Sequence, residues 1–150
     1  MDTLDCIRKR RSIRSFSSKK VPDDIIEKLI EAGRAAPSAG GLASQRFFVV
    51  SKKDEKEKVA EIANGQNFVA DASHIIFVFV DENKIRTRYG KRADFYAVCD
   101  GSAAVENILL AVTALGLASV WVGAFDDDAL RKFFKTGLRP IAILPIGYEK

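Results

Sequence analysis

The 150-residue sequence is 47% hydrophobic and 29% charged, which excludes a disordered chain and predicts one folded domain over residues 1–150. Its formal net charge of +4 is compatible with an anionic ligand. The charge does not indicate nucleic-acid binding, because acidic residues are spread through the whole chain.

The location of the protein is predicted from its cysteines and its apolar segments. Cys6 and Cys99 match no metal or redox spacing, which is typical of reduced thiols in the cytoplasm. The first residues, MDTLDCIRK, lack the apolar run of a secretory signal. The longest strongly apolar run, IIFVFV at 75–80, is too short to cross a bilayer. We therefore expect a cytoplasmic protein with no membrane partner.

Helices and two strands alternate in the predicted first half of the chain. Pro22 suits the first turn of a helix over 22–36, and Asp23 and Asp24 favour its positive end. The run at 74–81 has no polar alternation, which predicts a strand buried on both faces and helices on both sides of the sheet. The other elements expected here are a short helix at 2–10, a strand at 46–51, a helix at 54–63 and a turn or short helix at 65–72.

The second half is predicted to centre on one long helix. Residues 97–116 are apolar over most of the helix circumference, so this helix is either the core of the domain or the contact with a second copy in a homodimer. The polar segment 82–96 is predicted as a loop. The remaining elements are a strand at 119–125, a helix at 127–134 that Asp126 caps, and a strand at 139–148. Helices mixed with about four strands predict an α+β fold.

The side chains offer little catalytic chemistry of their own. His74, the only histidine, opens a buried strand and is more typical of a structural residue than of a catalytic base. A zinc or iron site needs several Cys or His ligands, and those present are few and scattered, so no metal is expected. If the chain is an enzyme, an organic cofactor supplies the difficult chemistry.

A basic cluster lies near the start, in CIRKRRSIRSF at 6–16, with five basic residues between Arg8 and Arg14. In an extended segment Arg10, Ser12 and Arg14 share one face while Ile13 points into the core. Two guanidinium groups and a hydroxyl suit a phosphate group. Two alternatives remain open at this point: a solvated face, which is the commonest fate of a charge run, and a nucleic-acid patch, which is weakened because no aromatic residue is interleaved before Phe16.

Four segments in order resemble the nitroreductase family: RRSIRSF, APSAGG at 36–41, DGSAAVENILLAVTALGLASVWVGAF at 100–125, and RPIAILPIGY at 139–148. Members of that family are homodimeric flavoproteins that bind FMN and take hydride from NADH or NADPH. The resemblance implies a three-layer α/β/α sandwich around a mixed, largely antiparallel sheet. It also implies reduction of a nitroaromatic, quinone or flavin-like acceptor, with the flavin sites at the interface of a homodimer.

The resemblance carries cofactor-binding roles to particular positions. RRSIR resembles the clamp on the FMN phosphate, and PSA resembles the loop that the partner subunit lays over the flavin. The backbone N–H groups of Gly123 and Ala124 are implied close to the flavin N5, where a side chain would hold the backbone away from the ring. No catalytic side chain is implied. The implied positions are Arg10, Arg11, Ser12, Arg14, Pro37, Ser38, Ala39, Gly41, Gln66, Val122, Gly123, Ala124 and Lys150.

Two positions depart from the family pattern. Gly41 stands where many relatives carry Asn, and Ser44 or Gln45 is expected to replace that amide. Relatives usually continue beyond the GY dipeptide with another basic residue, for which Lys150 is expected to stand in. These departures leave a non-catalytic flavin-binding or storage module open as a second interpretation.

The chain lacks the long insertion with which many relatives shape the substrate pocket, so the polar segment 82–96 is of interest. We expect it to be either a lid over an open substrate site, formed by Tyr89, Arg92 and Phe95, or an ordinary surface loop. Trp121 is expected to pack in the core.

Overall fold

The structure is a computed structural model that describes residues 1–150, and a three-stranded antiparallel sheet forms its centre. The strands are β1, Gln45–Val50, β2, His74–Val80, and β3, Arg139–Ile146, with β2 between the other two. Every residue of β2 is buried, as its unbroken apolar run predicts.

Seven α-helices cover the two faces of the sheet. On one face, Ile76 and Val78 of β2 pack with apolar residues of the second and sixth helices. On the other face, Ile75 and Phe77 pack with residues of the third, fourth and seventh. This is the predicted three-layer α/β/α sandwich. The helices are α1 Thr3–Lys9, α2 Asp23–Arg34, α3 Lys53–Ile62, α4 Phe68–Asp71, α5 Glu82–Tyr89, α6 Ala93–Ala114 and α7 Asp127–Phe134.

The segment 82–96 is helical, so the predicted loop is wrong. Asp81 caps α5 by accepting the Lys84 backbone N–H, and Ile85 is completely buried. A short helix that buries one apolar side chain shows no helical periodicity in its sequence, which explains why the pattern resembled a loop.

The segment SVWVGAF at 119–125 does not form a regular strand. It runs beside β3 and is joined to it only by isolated bridges, Ala118 with Gly147 and Val122 with Ile143. The sheet therefore has three strands rather than about four, with this segment along its edge. Several backbone N–H groups of the segment consequently stay outside the sheet.

Helix α6 is long and apolar enough, with α5, to cross a membrane by length and composition alone. Within the fold, however, Ala104, Val105 and Ile108 are completely buried between α2 and the sheet. The interpretation as a core helix is therefore correct for this side. The opposite side includes Phe95, which is 60% exposed, and the exposed thiol of Cys99.

Candidate functional site

The basic cluster lies on an extended segment that its own backbone holds in place. Helix α1 ends at Lys9, and Arg10 turns the chain out of the helix. The Ile13 N–H donates to the Ser119 carbonyl at 2.9 Å, and Phe16 forms a bridge with Glu149. These contacts fix the backbone on either side of Arg14, beyond the end of α1. We call residues 10–14 the arginine segment.

The arginines of this segment differ in their partners. One nitrogen of Arg11 donates to both carboxylate oxygens of Glu149 at 2.7 Å. Arg10 and Arg14 form no ion pair, and Ser12 is exposed. Two guanidinium groups are thus free to meet an external anion, whereas Arg11 is already neutralised. The carboxylate of Glu149 was not foreseen from the sequence, because it lies far along the chain.

Lys150 lies beside the arginine segment. Its backbone N–H donates to the Ser15 carbonyl at 3.2 Å. The ammonium group adds another exposed cation to this end of the sheet. The backbone of Lys150 therefore lies next to the residue that follows the arginine segment.

Ser119 is a buried hydroxyl without a partner at the same place. Its side chain is 3% exposed, and its Oγ is the only buried side-chain polar atom in the chain that makes no hydrogen bond. Leaving such a group unpaired costs about 1–3 kcal/mol. Since the Ser119 carbonyl holds Ile13, this unused polar group belongs to the segment that supports the arginines.

Gly123 and Ala124 present free backbone donors. Both residues are exposed, and their N–H groups make no hydrogen bond within the chain. A Cβ built on Gly123 would meet only the Trp121 indole, 3.7 Å away at Nε1, so the space beside it is open. Trp121 is 38% exposed rather than packed in the core, which corrects the expectation from the sequence.

Gln66 and Val122 frame these donors. The Gln66 side-chain amide donates to the Ala124 carbonyl at 3.1 Å and to the Ala63 carbonyl at 2.8 Å. Val122 is buried, and its bridge to Ile143 holds the start of the turn against β3. The structure thus brings Gln66, Gly123 and Ala124 together. The side-chain N–H group of Gln66 is, however, already hydrogen-bonded to carbonyls of the chain.

The loop from Pro37 to Ser44 is anchored by a buried carboxylate that sequence reasoning missed. Asp100 on α6 is 4% exposed and accepts the Ala39 N–H at 2.8 Å through Oδ1. Its Oδ2 accepts the Ser44 hydroxyl at 2.6 Å. The available signal was an acidic residue on the apolar part of a largely apolar helix, because a carboxylate buried there needs hydrogen-bond partners.

The structure excludes Ser44 and Gln45 as replacements for the missing asparagine. Both are buried, and Gln45 donates its amide to the carbonyls of Asp100 and Pro37. Gly41 instead faces open space with a φ of +67°, a conformation that favours glycine. The loop therefore offers the exposed Pro37, the half-buried Ser38 and Ala39, and bare backbone at Gly41.

The two groups of predicted cofactor residues lie at opposite ends of the sheet. The loop joins β1 at Gln45, which pairs with Val80 and through it with Arg139, the first residue of β3. The arginine segment lies beyond Ile146, the last residue of β3. Strands rise about 3.3 Å per residue, so the two ends of this eight-residue strand lie about 23 Å apart. One chain does not bring both groups around one small site.

A cavity of about 640 Å³ lies apart from these residues. Two ion pairs involve residues that line it: Arg139 pairs with Glu82 at 3.1 Å, and Asp94 pairs with Arg86 at 2.6 Å. Burial raises the pKa of Glu82, and the hydrogen bond from Arg86 lowers the pKa of Asp94. This network joins α5, α6 and β3 and has a structural role.

His74 is a satisfied buried side chain, as predicted. It is 3% exposed, with Nδ1 at 2.9 Å from the Ser73 hydroxyl and Nε2 at 3.1 Å from an Asp23 oxygen. Burial lowers its pKa, and the Asp23 carboxylate opposes that shift. His74 is the first residue of β2, and its contact with Asp23 joins the sheet to the start of α2.

Comparison with known proteins decides which family this architecture represents. The family model described as the nitroreductase family matches residues 7–73 and 63–148. The chain belongs to the nitroreductase family. The resemblance seen in the sequence is therefore confirmed, and so is the prediction of an enzyme of the oxidoreductase class.

Individual relatives of this nitroreductase agree with the assignment. A Methanothermobacter thermautotrophicus protein named "Putative NADH dehydrogenase/NAD(P)H nitroreductase" is 33% identical over 99% of this chain and 78% of its own length. An NADPH-flavin oxidoreductase of Vibrio harveyi is 27% identical over 85% of this chain and 56% of its own length. A solved nitroreductase family protein from Clostridium difficile 630 is 34% identical, with a TM-score of 0.87 over 100% of this chain and 86% of that one.

The residues of this nitroreductase are compatible with a phosphorylated flavin. Arg10 and Arg14 are unpaired cations on a fixed backbone, and Gly123 and Ala124 have free N–H groups beside open space. The guanidinium groups suit an anionic phosphate, and the backbone N–H groups suit the polar edge of a ring.

Proposed function

We propose that this chain is an FMN-dependent oxidoreductase that uses NADH or NADPH to reduce a nitroaromatic, quinone or flavin-like acceptor. We propose further that it is a single-domain cytoplasmic protein that acts as a homodimer. The observation that carries the proposal is the pair of unpaired guanidinium groups, on Arg10 and Arg14, held on a backbone-anchored segment. A flavin bound there would supply the hydride chemistry that the side chains lack.

The arginine segment would hold the phosphate of FMN. Arg10 and Arg14 can each direct a planar pair of donors at phosphate oxygens, and the Ser12 hydroxyl lies between them in sequence. Arg11 would lie at the ribityl side, where Glu149 already fixes its orientation. Lys150, whose backbone is hydrogen-bonded to Ser15, would add positive charge beside the segment.

The ring of the flavin would lie against the edge segment at Gly123 and Ala124. Their free N–H groups can donate to the ring edge and orient it, and Gln66 fixes the turn by binding the Ala124 carbonyl. The protein then has to place donor and acceptor face to face and exclude water, which needs no catalytic acid or base. This agrees with the absence of a histidine other than the structural His74.

A second copy would complete each site. The loop of Pro37, Ser38, Ala39 and Gly41 lies about 23 Å from the arginine segment along the eight-residue β3. Within one chain this loop would be too distant to cover a ring held by those arginines. A symmetric dimer supplies the loop from the partner, and two equivalent sites result.

The deciding experiment is to identify what the purified protein binds. We expect a yellow protein whose released chromophore is FMN rather than FAD or riboflavin. Anaerobic mixing with NADH or NADPH should bleach the visible spectrum, and addition of a quinone should restore it. A protein that binds FMN but is not bleached by either donor would instead be a flavin-binding module. A protein that stays colourless after reconstitution with FMN would refute the proposal.

A further inference from the structure

A small cavity lies on the side of α6 that faces away from the core. Its volume is about 370 Å³, and most of its lining is apolar or aromatic. Its lining residues are Ala39, Tyr89, Phe95, Tyr96, Cys99 and Asp100. The prediction from the sequence singled out Tyr89, Arg92 and Phe95 only as a lid, and their arrangement now shows more.

Aromatic rings form the walls of this cavity. Tyr89 and Tyr96 meet edge to face, with ring centroids 5.1 Å apart, and Phe95 lies tilted beside Tyr96 at 6.2 Å. Phe95 is 60% exposed, which is unusual for so large an apolar side chain. Such exposed ring faces favour contact with a flat aromatic group.

Two unpaired arginines, which do not line the cavity itself, lie against its wall rings, and we call this edge the rim. The Arg92 guanidinium lies 4.9 Å from the Tyr96 ring centroid and 5.5 Å from that of Phe95. The Arg88 guanidinium lies 5.6 Å from the Tyr89 centroid. Neither arginine forms an ion pair, whereas the neighbouring Arg86 pairs with two carboxylates. The rim therefore keeps its positive charge.

The acidic residues nearest the cavity do not cancel this charge. Both carboxylate oxygens of Asp100 already accept hydrogen bonds, and the side chain is buried beneath the loop. Asp94 pairs with Arg86 on the far side of the helix pair. A ligand in the cavity would thus meet apolar rings below and two guanidinium groups at the edge.

The cavity is continuous with the loop that we propose to cover the flavin. Ala39 belongs to the loop and also lines the cavity. A Cβ built on Gly40 would lie 2.5 Å from the Tyr89 hydroxyl, so the loop and the rings are in direct contact. If the proposed function is correct, this cavity opens towards the flavin of the partner subunit.

We propose that this cavity binds a planar aromatic compound that carries an anionic group. The ring lies against Phe95 and Tyr96, and the anion meets Arg88 and Arg92. The ligand is either an anionic electron acceptor or the phosphorylated nicotinamide donor, which share this chemistry. The inference deepens the proposed function, and its position at the flavin rests on that function.

Binding of a redox-inert probe tests the cavity independently of turnover. Calorimetric titration of the purified protein with 2-naphthalenesulfonate and with uncharged 2-naphthol compares the same ring with and without the anion. We expect the sulfonate to bind more tightly and Arg92→Ala to weaken it about tenfold, with little effect on 2-naphthol. Arg92→Lys should retain part of the preference, and Lys53→Ala, a charge change on the exposed start of α3, should retain all of it. Equal affinity for the two compounds, or an unchanged preference in the Arg88→Ala, Arg92→Ala double variant, would overturn the proposal.

Steady-state kinetics then distinguish the two sources of the ligand. If the site serves the acceptor, Arg92→Ala lowers kcat/KM for a sulfonated naphthoquinone but not for the neutral parent quinone. If it serves the donor, the same variant raises the KM for NADPH more than that for NADH. An equal change for all four substrates contradicts a role in recognising charge. A protein that binds no flavin and shows no turnover would refute the proposed function. The titrations with the naphthalene compounds would still test whether the cavity binds an anionic aromatic ligand.

Discussion

The buried carboxylate of Asp100 accepts the backbone N–H of Ala39, with 2.8 Å between Oδ1 and the nitrogen. Its other oxygen accepts the Ser44 hydroxyl, and its own carbonyl accepts the Gln45 amide. One residue of α6 therefore anchors the loop at three points. Because α6 is part of the core, the position of the loop is tied to the stability of the whole domain.

Replacement of Asp100 by Ala should destabilise the protein. The Ala39 N–H and the Ser44 hydroxyl would lose their acceptor, and each unpaired buried group costs about 1–3 kcal/mol. Urea denaturation should therefore show a lower midpoint, with a smaller loss for Asp100→Asn, which keeps one acceptor oxygen. Glu27→Ala, which removes an exposed carboxylate on α2, is the control and should leave the midpoint unchanged. Equal midpoints for wild type and Asp100→Ala would contradict the anchoring role.

Arg10→Ala and Arg14→Ala should each weaken FMN binding by about tenfold or more, since a charge-assisted hydrogen bond contributes about 1.5–3 kcal/mol. Arg11→Ala should have a smaller effect, because Glu149 already neutralises that guanidinium. Trp121 is the only tryptophan and lies beside Gly123, so quenching of its fluorescence reports binding.

Arg8→Ala is the matched control for these variants. Arg8 lies on α1 and pairs only with Asp5, so its loss should leave FMN affinity unchanged. An equal loss of affinity in Arg8→Ala and Arg10→Ala would mean that net charge, and not a clamp, holds the flavin.

Leu4→Glu should weaken the proposed dimer without unfolding the chain. Leu4 is 60% exposed on α1, a helix that contacts α6, so a charge there meets water in the monomer and would meet an apolar surface in the proposed dimer. Light scattering should report a monomer with native circular dichroism. The matched variant Ile108→Glu should unfold the chain, because Ile108 is completely buried. A Leu4→Glu protein that stays dimeric would exclude this part of α1 from the interface.

The free energy of unfolding should fall on mild acidification because of His74. Burial lowers the pKa of His74 in the folded chain, so the unfolded chain binds the proton more tightly. The contribution of His74 is complete above the ordinary histidine pKa of 6.5 and is lost as the pH falls below it. Chemical denaturation at a series of pH values should show a steeper decline for wild type than for His74→Gln. Parallel curves would exclude His74 as the source.

Local sequence patterns predicted most of the secondary structure. The unbroken apolar run of β2 and the acidic first turn of α2 were sufficient, because burial on both faces and helix capping depend on neighbouring residues. The same reasoning failed for α5, which buries only Ile85, and for the edge segment around Trp121. Both depend on what packs against them.

The candidate site likewise has features that local sequence predicts and features that depend on packing. The hypothesis that Arg10, Ser12 and Arg14 share one face came from the residues alone, since an extended backbone has a period of two. The partners of the neighbouring Arg11 and Ile13 could not be derived in this way, because Glu149 and Ser119 lie more than a hundred positions away in the chain. The interpretation of Ala104 and Ile108 was likewise ambiguous until their burial was known.

Residue type and spacing thus establish which groups the chain possesses. These are a cluster of arginines with few acidic residues near it in sequence, and a long apolar helix. Packing establishes which of them remain available. It neutralises Arg11, buries Asp100 under the loop, and separates that loop from the arginine segment by the length of β3. These outcomes follow from contacts between residues distant in sequence, and such contacts form only when the sheet and its two helical layers assemble.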